Sequence, residues 1–161
     1  VYAPTRAPKA IAVIGAGPAG LACATVAAER GHRVTLFDAA DEIGGQFNLA
    51  KRIPGKEEFH ETLRYFGDRI ARTGVALRLS TPVEAALLAG FEEVVVATGV
   101  TPRAVAFPGA DHPKVVGYLD ILQHRVVAGP RVAIIGAGGI GFDVAEYLVH
   151  ADGQPSASTD T

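Results

Sequence analysis

The run "AIAVIG" at residues 10–15 is apolar until its closing glycine, the pattern of a short strand covered on both faces. "PAGLACATVAAER" follows, with Pro18 in its first turn and Gly31 just past its end, which predicts a helix with a proline start and a glycine stop. "HRVTLFD" predicts a second strand, so that 10–38 form one βαβ unit whose right-handed crossover sets two parallel strands side by side. Residues 39–55 follow neither period and contain Gly44, Gly45, Pro54 and Gly55; they predict a long loop, and long loops in compact domains tend to be functional. From Lys56 to Thr73, Phe59, Leu63, Phe66 and Ile70 recur at steps of four, three and four. Glu57 and Glu58 stand at the start of that stretch and Arg69 and Arg72 near its end, so an amphipathic helix with charges matched to its dipole is expected.

"VALRLS" at 75–80 predicts a strand, "EAALLAG" at 84–90 a short helix or connector, and "EEVVVATG" at 92–99 another buried strand. The proline-rich 100–114 crosses to "YLDILQHRVV" at 118–127, a short helix. "RVAIIG" at 131–136 and "IGFDVAEYLV" at 140–149 then open a second strand and helix of the same kind. Residues 1–8 carry two prolines and no period and read as a linker; 151–161 are small and polar, have no apolar face, and are expected to be disordered. Strands alternating with helices predict an α/β fold with a Rossmann-like doubly wound parallel sheet.

Composition narrows the chemistry. With 48% apolar and 20% charged residues the 161-residue chain has enough apolar volume to fill a core. A formal charge of −2, with Lys and Arg scattered among acids, provides no basic field for a nucleic acid. No apolar run reaches the roughly 20 residues of a membrane span, and the N-terminal stretch has no signal-peptide core, so a cytoplasmic location is expected. Cys23, the single cysteine, falls inside the first helix and is expected to pack in the core. It leaves no Cys-x-x-Cys redox pair and no cysteine-ligated iron–sulfur cluster within this chain. No Ser/His/Asp, Cys/His or metal-ligand spacing supports a hydrolase or a metal centre.

The candidate chemistry lies in two glycine turns. In "GAGPAG", Gly15 allows a tight turn, Gly17 lets backbone approach a pyrophosphate, and Gly20 lets helix and strand pack closely. Pro18, Ala19 and Gly20 open the helix, where free backbone N–H groups and the dipole favour an anion. Asp38 ends the next strand 21 residues after Gly17, where a carboxylate can accept hydrogen bonds from both ribose hydroxyls. An acid there would repel a 2′-phosphate, so FAD or NAD is expected at this first site in preference to NADP. "GAGGIG" repeats the spacing with Gly136, Gly138 and Gly141, and with Gly139 and Ile140 between. Asp160 lies at about the ribose-binding distance from this turn, but in the polar tail and not at a strand end.

The stretch "GAGPAGLACATVAAERGHRVTLFDAADEIGGQFNLAKRIPGKEEFHETLRYF", continued by "HPKVVGYLDIL" and "VAIIGAGGIGFDVAEYL", resembles the bacterial NADPH-dependent 2,4-dienoyl-CoA reductases from about Lys9 to His150. "EIGGQFNLAKRIPGKEEF" is its most specific part. The resemblance implies a multidomain flavoprotein: a barrel related to old yellow enzyme, with FMN and an iron–sulfur cluster, followed by FAD and NADPH domains. Electrons would pass from NADPH to FAD, through the cluster to FMN, and on to a dienoyl thioester. It implies an FAD-binding domain over 9–128 that lacks its C-terminal return segment, and the start of an NAD(P)-binding domain over 129–150. The barrel and its catalytic groups are absent from this chain, which reads as a fragment ending inside the inserted nucleotide domain.

The flavin contacts so implied are Gly15, Gly17, Pro18, Ala19, Gly20, Asp38 and Ala39 at the first turn. Gly45 and Gln46 join them from the loop, with Val83 and, at the carboxyl end of the fourth strand, Ala97, Thr98 and Gly99. The second turn, Gly136, Gly138, Gly139, Ile140 and Gly141, would take NADP or NAD. Lys51, Arg52 and Arg103 are either phosphate contacts or surface charge; His32 and His60 are expected to be solvated. The rival to an electron-entry oxidoreductase segment is a binding-only module that holds ADP or FAD without turnover, as trimethylamine dehydrogenase-like relatives suggest; a third reading is an inactive truncated chain.

Overall fold

The structure, a computed structural model, describes residues 2–150, so the expected disorder of 151–161, and Asp160 with it, lies outside the described residues. Strands β1 (Ala10–Ile14), β2 (Arg33–Phe37), β3 (Ala76–Arg78) and β4 (Glu93–Val96) form one parallel sheet in the order β3-β2-β1-β4. Ala12 pairs with Thr35 on one side and Val94 on the other, which makes β1 the axis of the sheet. Helix α1 (Pro18–Glu29) crosses from β1 to β2, and α3 (Glu58–Thr73) packs on α1. This is the expected α/β Rossmann-like arrangement.

The order has a physical origin. The chain runs outward from β1 through β2 to β3 and then returns to the other side of β1, so the direction of winding reverses between β1 and β4. The carboxyl ends of those two strands flank a switch-point crevice, where ligands of open α/β sheets bind. Beneath it the core unites Ile11, Val13, Leu21, Ala24, Val34, Leu36, Ile70 and Val75. Thr25 is fully buried in α1 and its hydroxyl donates to the Leu21 carbonyl at 2.8 Å, so no buried polar atom is left unmet there. Gly31, at φ +96°, ends α1: its amide donates to Ala28 O at 2.8 Å and that of His32 to Ala27 O at 3.1 Å. Cys23 packs against the core, as its helical setting suggests.

Several expectations are corrected. The 39–55 loop contains a one-turn helix, α2 (Phe47–Ala50), too short to show a period. β4 is not buried: it forms one edge of the sheet, and Val96 is 71% exposed and Val94 42% exposed, since no described element of its own unit covers that face. "RVAIIG" forms no strand, although its residues are as apolar as those of β1. A strand needs a ladder, and no described strand pairs with this run, so Ile135 is left 75% exposed. The 118–127 helix stops at Leu122, in α4 (Tyr118–Leu122), where His124 takes a left-handed φ of +57°. Within 2–8, Thr5 N donates to Arg30 O, just past α1, at 2.7 Å. His32 is half-buried where full solvation is expected, and its Nδ1 accepts the Lys9 amide at 3.2 Å.

The described chain falls into two compact units, one running to Asn48 and including Glu58–Val100, the other comprising Leu49–Glu57 and the chain from Thr101 onward. The first unit holds the sheet, α1 and α3. The second holds α4 and α5 (Gly139–Val149), and buries Ile53, Ile121, Leu122 and Val144.

At the amino end of the sheet Lys9 Nζ lies 2.5 Å from Glu93 Oε1, and this hydrogen bond and its charge hold the Glu93 carboxyl below the usual carboxylate range. A carboxyl depressed in the folded state favours folding above its ordinary range, and that contribution is lost as pH falls through the lowered value. Lys9→Gln is therefore expected to return Glu93 to the ordinary range in a side-chain NMR titration. An unmoved Glu93 titration would show that this contact does not persist in solution.

Candidate functional site

The first glycine turn leads directly from β1 into α1. Gly15 has φ +106°, and its amide donates to Phe37 O at 2.7 Å, pinning the turn to the end of β2. A Cβ on Gly15 would overlap the Ala97 carbonyl oxygen, and one on Gly20 would overlap the Gly15 carbonyl oxygen. Two of the three glycines are therefore demanded by packing alone. Gly17 is not: its backbone is extended and a Cβ there meets nothing within 4 Å. The space it leaves is bordered by the Ala19 and Gly20 amides, which stand in the first helical turn and have no intrahelical acceptor. No acidic residue occupies that turn and no side chain caps it. An open backbone, free amides and the positive end of a 12-residue helix fit the diphosphate of a dinucleotide.

Gly17→Ala is accordingly expected to leave folding stability within about 0.5 kcal/mol of the parent, because the added methyl touches no atom of the protein. Binding of ADP, followed by calorimetry, should fall roughly tenfold or more, because the methyl takes the space meant for phosphate. Unchanged ADP affinity would place the phosphate elsewhere.

Asp38 lies just past β2, half-buried, and turns back toward the glycine turn. Its Oδ2 accepts the Ala16 amide at 2.6 Å and its Oδ1 the Ala40 amide at 2.8 Å. Each carboxylate oxygen has a second lone pair, so the group can hold the turn and still accept from a ribose hydroxyl. Ala39, between Asp38 and Ala40, is exposed. Alongside runs the chain after β3: Thr81 N donates to Asp38 O and Ser80 N to Ala40 O, both at 2.8 Å. Ser80 sits there at φ +49°, and Val83, half-buried, follows two residues beyond Thr81.

The GGQF loop is docked on the same turn. Gly44 N donates to Ala16 O at 2.8 Å, and a Cβ on Gly45 would lie 3.1 Å from Gly17 Cα. Gln46 is exposed next to it, and the Phe47 ring packs on Phe59 of α3 at a centroid distance of 4.4 Å. On the other side of β1, Ala97 N continues the ladder to Ile14 O at 2.8 Å, and Thr98 and Gly99 leave the sheet exposed, with Gly99 at φ +77°. The first unit thus brings Gly15–Gly20, Asp38, Gly45 and Ala97 together at the carboxyl edge of the sheet. Asn48, whose side-chain amide donates to Ile43 O at 2.9 Å beside this loop, belongs to no motif, and its one sequence signal is an Asn just after a Gly-Gly turn, a residue type given to local backbone bonding.

In the second unit the other turn repeats the first. Gly136 has φ +117°, a Cβ on Gly141 would overlap the Gly136 carbonyl oxygen, and Phe142 N donates to Gly138 O at 3.1 Å, as Leu21 N does to Gly17 O at 2.9 Å. Gly138 and Gly139 are open, Ile140 is exposed, and α5 has no side-chain cap and no acid in its first turn. One difference matters: nothing lies within 4 Å of a Cβ at Gly136, whereas Gly15 is backed by the end of β4.

Of the cationic candidates, Arg52 belongs to the second unit, where its Nη1 donates to Leu122 O at 2.5 Å and so closes the end of α4. Nearby in that unit Lys56 Nζ pairs with Asp143 at 2.6 Å. Arg103 is exposed in an irregular stretch, and His60 is exposed on α3. Among the described residues no cluster of His, Cys, Asp and Glu is arranged to hold a metal ion, and no helix is long and apolar enough to cross a membrane.

The sequence model of pyridine nucleotide-disulphide oxidoreductases matches residues 9–154. A metal reductase of Desulforamulus reducens is 37% identical over 92% of this chain and 23% of its own length, and an N,N-dimethylglycine/sarcosine dehydrogenase of Chromohalobacter salexigens 38% identical over 98% and 24%. In a solved 2-naphthoyl-CoA reductase complex, 93% of this chain superposes on 23% of that chain with a TM-score of 0.88 at 35% identity. The chain thus spans about a quarter of the length of the relatives it matches. With its parallel sheet, its two glycine turns and this match over most of its length, the chain belongs to the pyridine nucleotide-disulphide oxidoreductase family, as an oxidoreductase segment of the kind that works with flavin and nicotinamide nucleotides.

Proposed function

We propose that this chain is the electron-entry segment of a multidomain reductase resembling the 2,4-dienoyl-CoA reductases, with FAD at the Gly15–Gly20 turn and NADPH or NADH at the Gly136–Gly141 turn. The observation that carries the reading is the pair of turns with matching geometry, of which, among the described residues, only the first has an aspartate folded onto it and a glycine loop laid against Gly17. In this assignment residues 9–128 serve the flavin and 129–150 begin the nicotinamide side. The Ala19 and Gly20 amides hold diphosphate, Asp38 takes the ribose, and Gly45, Gln46 and Ala97–Gly99 border the ring system. Ala39 and Val83 flank the adenosine side. Bound flavin would supply the hydride-accepting chemistry; the residues of this chain bind it, orient it and keep its phosphates out of bulk water. A barrel domain with FMN and an iron–sulfur cluster is the proposed partner, and an acyl-CoA thioester the proposed final acceptor.

Purified chain reconstituted with FAD should keep a flavin absorption through gel filtration, and NADPH or NADH should bleach it under anaerobic conditions. Retained colour without bleaching, or ADP binding without colour, would instead support a binding-only module. One observation favours that second reading: the run before Gly136 is unpaired and nothing backs the turn.

A further inference from the structure

Gly44 and Gly45 have φ values of +122° and +52°, and a Gly-Gly pair has more backbone freedom to lose than any other dipeptide. Something must hold it in place. The side-chain amide of Asn48 donates to Ile43 O at 2.9 Å, and its main-chain amide donates to Gly45 O at 3.1 Å, so Asn48 spans the Gly-Gly turn from both ends. The Gly44 amide then reaches Ala16 O at 2.8 Å, in the glycine turn itself. The fit is close: a Cβ on Gly44 would come within 2.9 Å of both terminal atoms of the Asn48 side chain and 2.7 Å of Leu63 Cδ2.

We propose that Asn48 is a positioning residue for the dinucleotide site: its side chain sets the Gly44–Gln46 loop against the Gly15–Gly20 turn before any ligand arrives, so that the ordering of this loop is not charged against binding. The proposal deepens the flavin assignment above and rests on it. Asn48 touches no ligand in this account. It acts on the part of the ligand beyond the diphosphate, because the loop it braces borders the ring system in that assignment, while the α1 amides and Asp38 hold the ADP moiety.

Two variants separate this role from a general loss of structure. Asn48→Ala removes the whole contact; Asn48→Asp keeps its size but puts a charged acceptor oxygen where the N–H donor faces Ile43 O. In both, the Gly44 amide of the ligand-free chain should exchange with solvent at least about tenfold faster, since its bond to Ala16 O opens with the loop. Affinity for FAD should fall about tenfold, and affinity for ADP should change less than about threefold. Visible circular dichroism of bound flavin, a reporter of ring orientation, should weaken in parallel. The proposal is overturned if Gly44 exchanges no faster than in the parent chain, if Asn48→Asp keeps the parent FAD-to-ADP affinity ratio, or if ADP and FAD are lost together. A parent chain that binds ADP but gains nothing from the flavin half would sink the flavin assignment instead. The exchange rates would then still decide whether Asn48 holds the loop.

Discussion

Gly15→Ala is expected to lower folding stability by about 3 kcal/mol or more. Two costs add. At φ +106° an L-residue is strained by about 1–3 kcal/mol. The new methyl would also overlap the Ala97 carbonyl, and Ala97 is joined to the sheet through Ile14. Relief therefore requires β4 to part from β1 at its carboxyl end, or β1 to twist away from Phe37. The equivalent change in the second unit provides the control: Gly136 has the same kind of φ, +117°, with no atom near its Cβ, so Gly136→Ala carries the backbone strain without the collision. Urea denaturation of the two variants should show the Gly15 midpoint much further displaced. Equal displacements would mean that the end of β4 is free to move and that the crevice is not rigid.

The second large effect is that of Asp38→Ala. Both carboxylate oxygens accept backbone amides, from Ala16 and Ala40, and each amide loses its partner in the variant. An unmet, partly buried donor costs about 1–3 kcal/mol, so stability should fall by that order even without ligand. ADP affinity should fall by a further 1–3 kcal/mol or so from the missing ribose acceptor. Calorimetric titration with ADP and a thermal melt separate the two. Loss of stability with ADP affinity unchanged would leave Asp38 as a brace for the turn and no more. Asp38→Asn, which keeps one acceptor oxygen, should fall between the parent and the alanine variant in both measurements.

The comparison of "AIAVIG" with "RVAIIG" shows how far pattern alone can be read. Both are apolar runs ending in a glycine turn, yet the first is β1, hydrogen-bonded on both sides, and the second is irregular. Apolar patterning states what a segment can bury, while the ladder depends on strands that must also be there. β1, α1, β2 and α3 were legible because each is long enough to show its period and is buried by neighbours close in sequence. The exposure of β4 was not, because an edge strand and a central strand carry the same valines. At the site, the glycines and Asp38 could be identified by spacing. That Asp38 braces the Ala16 amide, that Gly45 lies on Gly17, and that Asn48 spans the loop depend on side-chain directions no motif encodes.

The open flank of β4 has a practical consequence. Val94 and Val96 belong to an edge strand whose outward amides and carbonyls meet no ladder partner among the described residues, and such a margin templates the addition of another extended segment. The chain should self-associate as its concentration rises, and Val94→Lys, two residues back from the carboxyl end of β4 that flanks the crevice, should keep it monodisperse in light scattering.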